Sequence, residues 1–284
     1  VKAEADDGMT SDATPSQVTN ATPSELMKMN LLSEDGVYEV GSLDEYEEAI
    51  EKIAKLEDGS EVTLLLTANI SNTSNRFAGV SGKRITVTSD DTAPDEGYRI
   101  ELGQEMEGDV ILDKVFITTS ESRPIYANGH LFMTTENLPV GRTAGYSYYG
   151  RISKLFGGGS KGNNVESTNL VLNGGQIENV YGGGHDSNVT GDVHITLDGN
   201  ANAANFYGGG LAEETSNGKV LGDVIVEGQR GILRSFLGGG NNQYIDASRD
   251  RTPAEVKGDV IMTFGFEGAQ EGSMILAISS DSGG

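Results

Sequence analysis

The sequence predicts an all-β parallel β-helix closed at its N-terminal end by one amphipathic capping α-helix, and three observations predict it. The apolar period changes from helical to two near Glu61, and no second helix signal follows. An aromatic residue or leucine followed by three glycines then recurs four times, with the first glycines at Gly157, Gly182, Gly208 and Gly238. Between these corners runs a Gly-Asp-Val element followed by alternation: Gly191-Asp192-Val193-His194-Ile195-Thr196-Leu197, Gly222-Asp223-Val224-Ile225-Val226 and Gly258-Asp259-Val260-Ile261-Met262-Thr263-Phe264. A mostly extended unit of about 25 residues matches one turn of a solenoid made of about three short strands.

The elements follow in order. Residues 1–30 are rich in Thr, Ser, Asp, Ala and Pro without apolar periodicity, which predicts disorder. Val1-Lys2-Ala3 followed by Glu4-Ala5-Asp6-Asp7 reads either as the end of a secretory signal or as an arbitrary start. Val37-Tyr38-Glu39-Val40 alternates as a strand, and Ser42 with Glu45 forms a capping box opening a helix over 42–56. Leu43, Tyr46, Ile50 and Ile53 give that helix one apolar face, suited to covering the open end of a strand stack. Short strands follow at 62–66, 85–88, 98–102, 110–112 and 115–117, with Gly, Asn, Asp or Ser between them. Gly108-Asp109-Val110-Ile111-Leu112 already carries the later repeat signature, and Thr168–Leu172 a degenerate one. The organisation is a disordered segment at 1–30, a strand and capping helix at 31–61, and a β-helix at 62–284 whose repeats are clearest at 156–264.

The alternation fixes which side chains should meet. Val193, Val224 and Val260 are expected to stack on the inside at about 4.8 Å per coil, as are Ile195, Val226 and Met262, with His194 and Thr196 outside. At about 25 residues per turn, 62–279 would make roughly eight or nine coils.

Composition narrows the function. Lys and Arg number 20 against 43 Asp and Glu, a net charge of −23, so a phosphate backbone is repelled and nucleic acid is excluded as a partner. Apolar runs reach about four residues, far below the ~20 of a membrane-spanning helix, so no membrane insertion is expected. The absence of cysteine removes disulfides, thiolate metal sites and cysteine nucleophiles.

The helix cap, the Gly-Asp-Val alternation and the aromatic-Gly-Gly-Gly corner together resemble the right-handed parallel β-helix of the pectin-lyase-like superfamily. More narrowly, they resemble adhesin-like surface proteins of bacteria and some archaea. The resemblance covers about 37–280 and implies a right-handed solenoid displayed outside the cell. Enzymes of that superfamily use paired aspartates, or calcium with a basic residue. The Gly-His-Gly and Arg-Ile-Lys motifs of the hydrolases are missing here, and in a lyase Arg230 or Arg234 would have to face acids from neighbouring coils.

The candidate residues sort as follows. Gly157, Gly158, Gly159, Gly182, Gly183, Gly184, Gly208, Gly209, Gly210, Gly238, Gly239 and Gly240 read as structural corners with positive φ and close contact between coils, because no copy leads into a helix as a phosphate-binding loop would. Asp109, Asp192, Asp223 and Asp259 read as turn caps rather than a calcium column, since their distance from the glycines varies. Asp90-Asp91 is a loop pair, and His130, His185 and His194 read as solitary histidines. Tyr146, Tyr148 and Tyr149 form the densest aromatic cluster and are the candidate ligand-binding residues, since tyrosines stack on sugars and anchor protein partners. No catalytic residue, metal ligand or cofactor is assigned. The sequence thus reads as an exported extracellular or cell-surface β-helix acting in adhesion or display. It would bind a glycan or protein of a host or neighbouring cell and belong to a polypeptide with further domains. A polysaccharide lyase or glycoside hydrolase on the same fold, and a structural spacer, are the alternatives.

Overall fold

The computed structural model describes residues 36–71, 76–95, 97–119, 123–139, 142–144, 147–149, 151–215, 217–228, 230–242 and 254–265. The segment 1–30 read as disordered and Tyr146 lie outside the described residues. Strand β1 (Val37–Val40) leads into α1 (Leu43–Ala54), the one helix of the described residues. Ser42 Oγ accepts the Glu45 N–H at 3.3 Å, and the Glu45 carboxylate reaches back to the Gly41 N–H at 2.8 Å, so the box closes one residue further out than the usual motif. Tyr46, Ala49 and Ile53 are buried, and Leu43 and Ile50 pack on the same core partly buried. The helix therefore lays its apolar stripe over the end of the stack where β1 is the edge strand.

The chain then winds through β2 (Glu61–Leu66), β3 (Arg84–Ser89), β4 (Tyr98–Glu101), β5 (Asp109–Leu112), β6 (Val115–Thr119), β7 (Ile125–Tyr126) and β8 (Leu131–Thr134). A short hairpin of β9 (Arg142–Ala144) and β10 (Ser147–Tyr149) is followed by β11 (Arg151–Phe156), β12 (Thr168–Leu172), β13 (Gln176–Tyr181), β14 (Val193–Leu197) and β15 (Asn202–Tyr207). The last described elements are β16 (Leu211–Ala212), β17 (Val224–Gly228), β18 (Ile232–Leu237), β19 (Asn241–Asn242) and β20 (Val260–Phe264).

Parallel pairing stacks these strands as a β-solenoid. The main sheet has nine strands in the order β1-β2-β3-β5-β8-β12-β14-β17-β20, and a second sheet runs β7-β11-β13-β15-β18. Val193 pairs with Val224 and Val224 with Val260, while Ile195 pairs with Val226 and Val226 with Met262, the register read from the alternation, but Val260, on the last described strand, is exposed rather than inside. One inward file is Val62, Ile85, Val110, Phe132, Leu170, Ile195, Val226 and Met262, each in register with the next. All but Met262 are buried, and each rung covers its neighbours.

Three expectations need correction. From β2 to β20 the main sheet takes seven steps rather than eight or nine shorter ones, because the steps from Phe132 to Leu170, from Ile195 to Val226 and from Val226 to Met262 carry insertions. Val110 is level with Ile195 and not with Val193, so Gly108-Asp109-Val110 sits two positions out of step with the later Gly-Asp-Val elements. The β9–β10 hairpin breaks the parallel rule: β10 pairs antiparallel with β9 and with β6.

Candidate functional site

The four glycine triplets follow β11, β13, β15 and β18 directly and lie on one another coil by coil. The Gly158 N–H donates to the Gly183 carbonyl, Gly183 to Gly209 and Gly209 to Gly239, each at 3.1 Å. A Cβ on Gly158 would stand 2.8 Å from the Gly184 nitrogen, one on Gly183 2.6 Å from Gly210 and one on Gly209 2.7 Å from Gly240. At Gly239, on the last described coil, it would meet nothing within 4 Å. None of the twelve has a positive φ, so the expected left-handed corners are not present, and contact between backbones is what demands glycine here.

The residue before each triplet builds a column. Tyr126, Phe156, Tyr181 and Tyr207 stack with centroids 5.2, 4.5 and 4.6 Å apart, and Leu237 continues the register beyond Tyr207. Tyr126 belongs to this column although Ala127-Asn128-Gly129 replaces its triplet. His185 lies on the column, its ring 5.2 Å from Phe156 and nearly parallel to it. Its Nδ1 is 2.9 Å from the Tyr126 hydroxyl and its Nε2 is 2.9 Å from a Glu213 carboxylate oxygen. Burial, with the carboxylates of Glu105, Glu213 and Asp186, holds the Tyr126 phenol far above its ordinary pKa. The Glu213 carboxylate can only accept, so Nε2–H donates to it, and the protonated phenol shares the other hydrogen bond with Nδ1. This carboxylate–imidazole–phenol chain joins residues 59 and 28 positions apart. Both ring nitrogens of His185 are engaged in holding coils together, so it is not the solitary histidine of the sequence reading.

Asp186 clamps the next loop. Its side chain is 1% exposed, and it accepts the backbone N–H groups of Glu213, Glu214 and Thr215. Burial pushes its carboxyl up, but those backbone bonds outweigh burial and hold it below the usual carboxylate value. Asp192 accepts the Asp223 N–H and Asp223 the Asp259 N–H, both at 2.8 Å. A Cβ on Gly222 or Gly258 would collide with the aspartate of the preceding coil, so the glycine of Gly-Asp-Val makes room for a carboxylate one turn below. Asp109 instead accepts the Leu131 N–H at 2.9 Å. Asp90 accepts the Thr92 N–H within its own turn.

Arg230 faces acids from other coils, bonding Asp198 at 2.9 Å and Glu136 at 2.7 Å. The Asp198 bond first, then the charge of Asp198 and the contacts to Glu136, raise its pKa further above that of an ordinary guanidinium. Arg234 is exposed on β18, and His194 is exposed on β14. Tyr148 and Tyr149 lie in β10, opposite Thr119 and Thr118 of β6. The hairpin is the antiparallel insertion among otherwise parallel coils, and it falls in the longest step of the main sheet, between β8 and β12. Sequence reasoning missed Tyr126, Glu213 and Asp186 as partners of His185. The signal for Tyr126 was its place roughly one repeat before Phe156, with Gly129 close behind it. No family model, curated protein or solved structure matches the chain.

Proposed function

We propose that the chain is the rigid β-solenoid of an exported cell-surface protein, acting in adhesion or display and holding a glycan or protein ligand, as the likeness to adhesin-like β-helix proteins suggests. The observation that carries this reading is the hairpin of β9 and β10. It departs from the parallel coils, and it bears the densest tyrosine cluster of the sequence. Insertions into a solenoid are where such folds place binding surfaces, because the coil itself is committed to stacking. The polar side chains elsewhere support the same reading. His185, Asp186 and Arg230 are each engaged with groups from other coils. Proton abstraction by Arg230, as a lyase would need, is opposed by the acids that strengthen its hold on its proton.

The test pairs binding with turnover. Wild-type protein on a glycan array and on immobilised host-matrix proteins should bind a defined ligand set. Replacing Tyr146, Tyr148 and Tyr149 together by Ala should weaken that binding at least tenfold with an unchanged circular dichroism spectrum. Retained binding would remove the tyrosines from the site, and no binding at all would favour the spacer. Shortened polysaccharide chains after incubation would replace the whole reading by an enzymatic one.

A further inference from the structure

A second surface carries an inference of its own, on the coils nearest the helix cap. Gly59, Gly82 and Gly108 line a cleft of about 230 Å³ beside the starts of the main-sheet strands. The Gly59 N–H donates to the Gly82 carbonyl at 2.7 Å, so these glycines come from adjoining coils. Gly59 has φ +85 and nothing within 4 Å of where a Cβ would stand, which leaves the floor at backbone level.

One wall is a single register row of alternating charge: Glu61 is level with Arg84, and Arg84 with Asp109. The Arg84 guanidinium bonds Glu61 on one side and Asp109, at 3.2 Å, on the other. His130 adds an imidazole to the lining, and the remaining cation, Lys83, is 3% exposed and bonded to Asp58 at 2.7 Å.

Charge decides what such a cleft takes. Each cation already faces a carboxylate, so no unmatched positive charge greets a phosphate or uronate, and the net charge of −23 repels anions at long range. Among the described residues no His, Asp or Glu group has the spacing to hold a metal ion. What the wall offers is acceptor, donor and acceptor in contact: carboxylate, guanidinium, carboxylate. A hydroxyl both donates and accepts, so the hydroxyls of a sugar can join such a row where a fixed ion is repelled by one of its signs. The volume lies below the ~300 Å³ at which drug-sized pockets begin, which suits one ring.

We propose that this cleft binds one hexose unit of a neutral glycan, through Glu61, Arg84, Asp109 and His130 above the glycine floor. It rests on the glycan-binding form of the reading above and gives that ligand a contact distinct from the tyrosine hairpin.

The experiment is an amide-resolved NMR titration of the full chain with the methyl glycosides of glucose, galactose and mannose and with N-acetylglucosamine, beside galacturonate and inorganic phosphate. The expected result is saturable shifts at the Gly59, Gly82 and Gly108 amides with at least one neutral sugar. The affinity should fall tenfold or more in Glu61→Ala and in His130→Ala. Should Glu61→Ala lose its folded spectrum, His130→Ala decides alone. No saturable shift with any neutral sugar, equal shifts with galacturonate or phosphate, or unchanged affinity in the variants would each overturn the proposal. Array binding that survives both variants but is lost with the tyrosines upholds the adhesion reading and overturns this cleft. Cleft shifts without array binding overturn only the adhesion reading.

Discussion

At the residue scale, glycine does two jobs in this chain, and the sequence distinguishes them poorly. Gly59, Gly82 and Gly175 sit at positive φ, where other residues are strained, whereas the triplet glycines are needed because another backbone lies where a Cβ would be. The triplets were legible as corners from spacing alone, but their reason depends on the neighbouring coil and so on tertiary contact. The same limit misplaced Asp109, whose Gly-Asp-Val looks like the later copies while its register differs by two. The distinction can be measured. Gly209→Ala, with a Cβ 2.7 Å from the Gly240 nitrogen, should cost about 1–3 kcal/mol in a urea melt, and Gly239→Ala should change stability by less than about 0.5. Equal costs would mean that the corners do not press on one another. Asp186 gives a second prediction. Asp186→Ala leaves three backbone N–H groups of the 213–215 loop without their acceptor and should cost about 3 kcal/mol near neutral pH. Because the folded carboxyl is held below its ordinary 3.8, the contribution is full above that value and is lost as pH falls through the depressed folded pKa. Wild type and variant should therefore converge in acid melts below pH 3.8, and a gap that widened there would contradict the clamp.

At the element scale, α1 and the alternating strands of the main sheet were readable because burial on one face imposes a period. The second sheet was not. Asn202-Ala203-Ala204-Asn205-Phe206-Tyr207 of β15 lacks β-branched residues and is held by pairing on both sides, so its strand character is supplied by neighbours rather than by propensity. The aromatic column explains how such weak strands persist: each near-parallel ring pair adds about 0.5–1.5 kcal/mol beyond its buried area. The column also has a pH signature. Burial pushes the Tyr181 phenol to about 12 and Tyr126 higher still, against an ordinary 10.0. In the unfolded chain both ionise near 10.0, so above that pH the unfolded state binds fewer protons and stability falls as pH rises from there towards about 12. Ultraviolet phenolate titration of the folded protein should leave these two of the 10 tyrosines protonated when exposed ones have ionised. Phe156→Leu should loosen the stack and bring their titration earlier, whereas ionisation of both near 10.0 in the folded wild type would mean the column is wet.

At the scale of the whole molecule, the repeat made the solenoid legible, while the interruptions hid its count and its added parts. A regular spacing is visible where loops are short, but the long step from β8 to β12, which contains β9 and β10, follows no period, because an insertion is free of the stacking that enforces one. Stability should follow the same logic. In a solenoid each coil touches only its neighbours, so removing one whole coil in register costs its own interfaces and leaves the others intact. Val180 pairs with Phe206, which makes the segment 181–206 one complete turn: without it Val180 would lead directly into Tyr207, at an equivalent point of the coil. That deletion should fold with an unchanged mean residue ellipticity and a lower melting temperature, since it also removes His185 and Asp186 and their bonds to the 213–215 loop. Deleting only 181–193 instead would run β13 straight into β14, leaving out the Gly182–Gly184 corner and setting the following chain half a turn out of step with its neighbouring coils. The half-turn variant should therefore give a poorly dispersed NMR spectrum. If both deletions fold equally well, coil register is not what holds this chain together; if neither folds, the coils form one indivisible cooperative unit rather than a sum of neighbours.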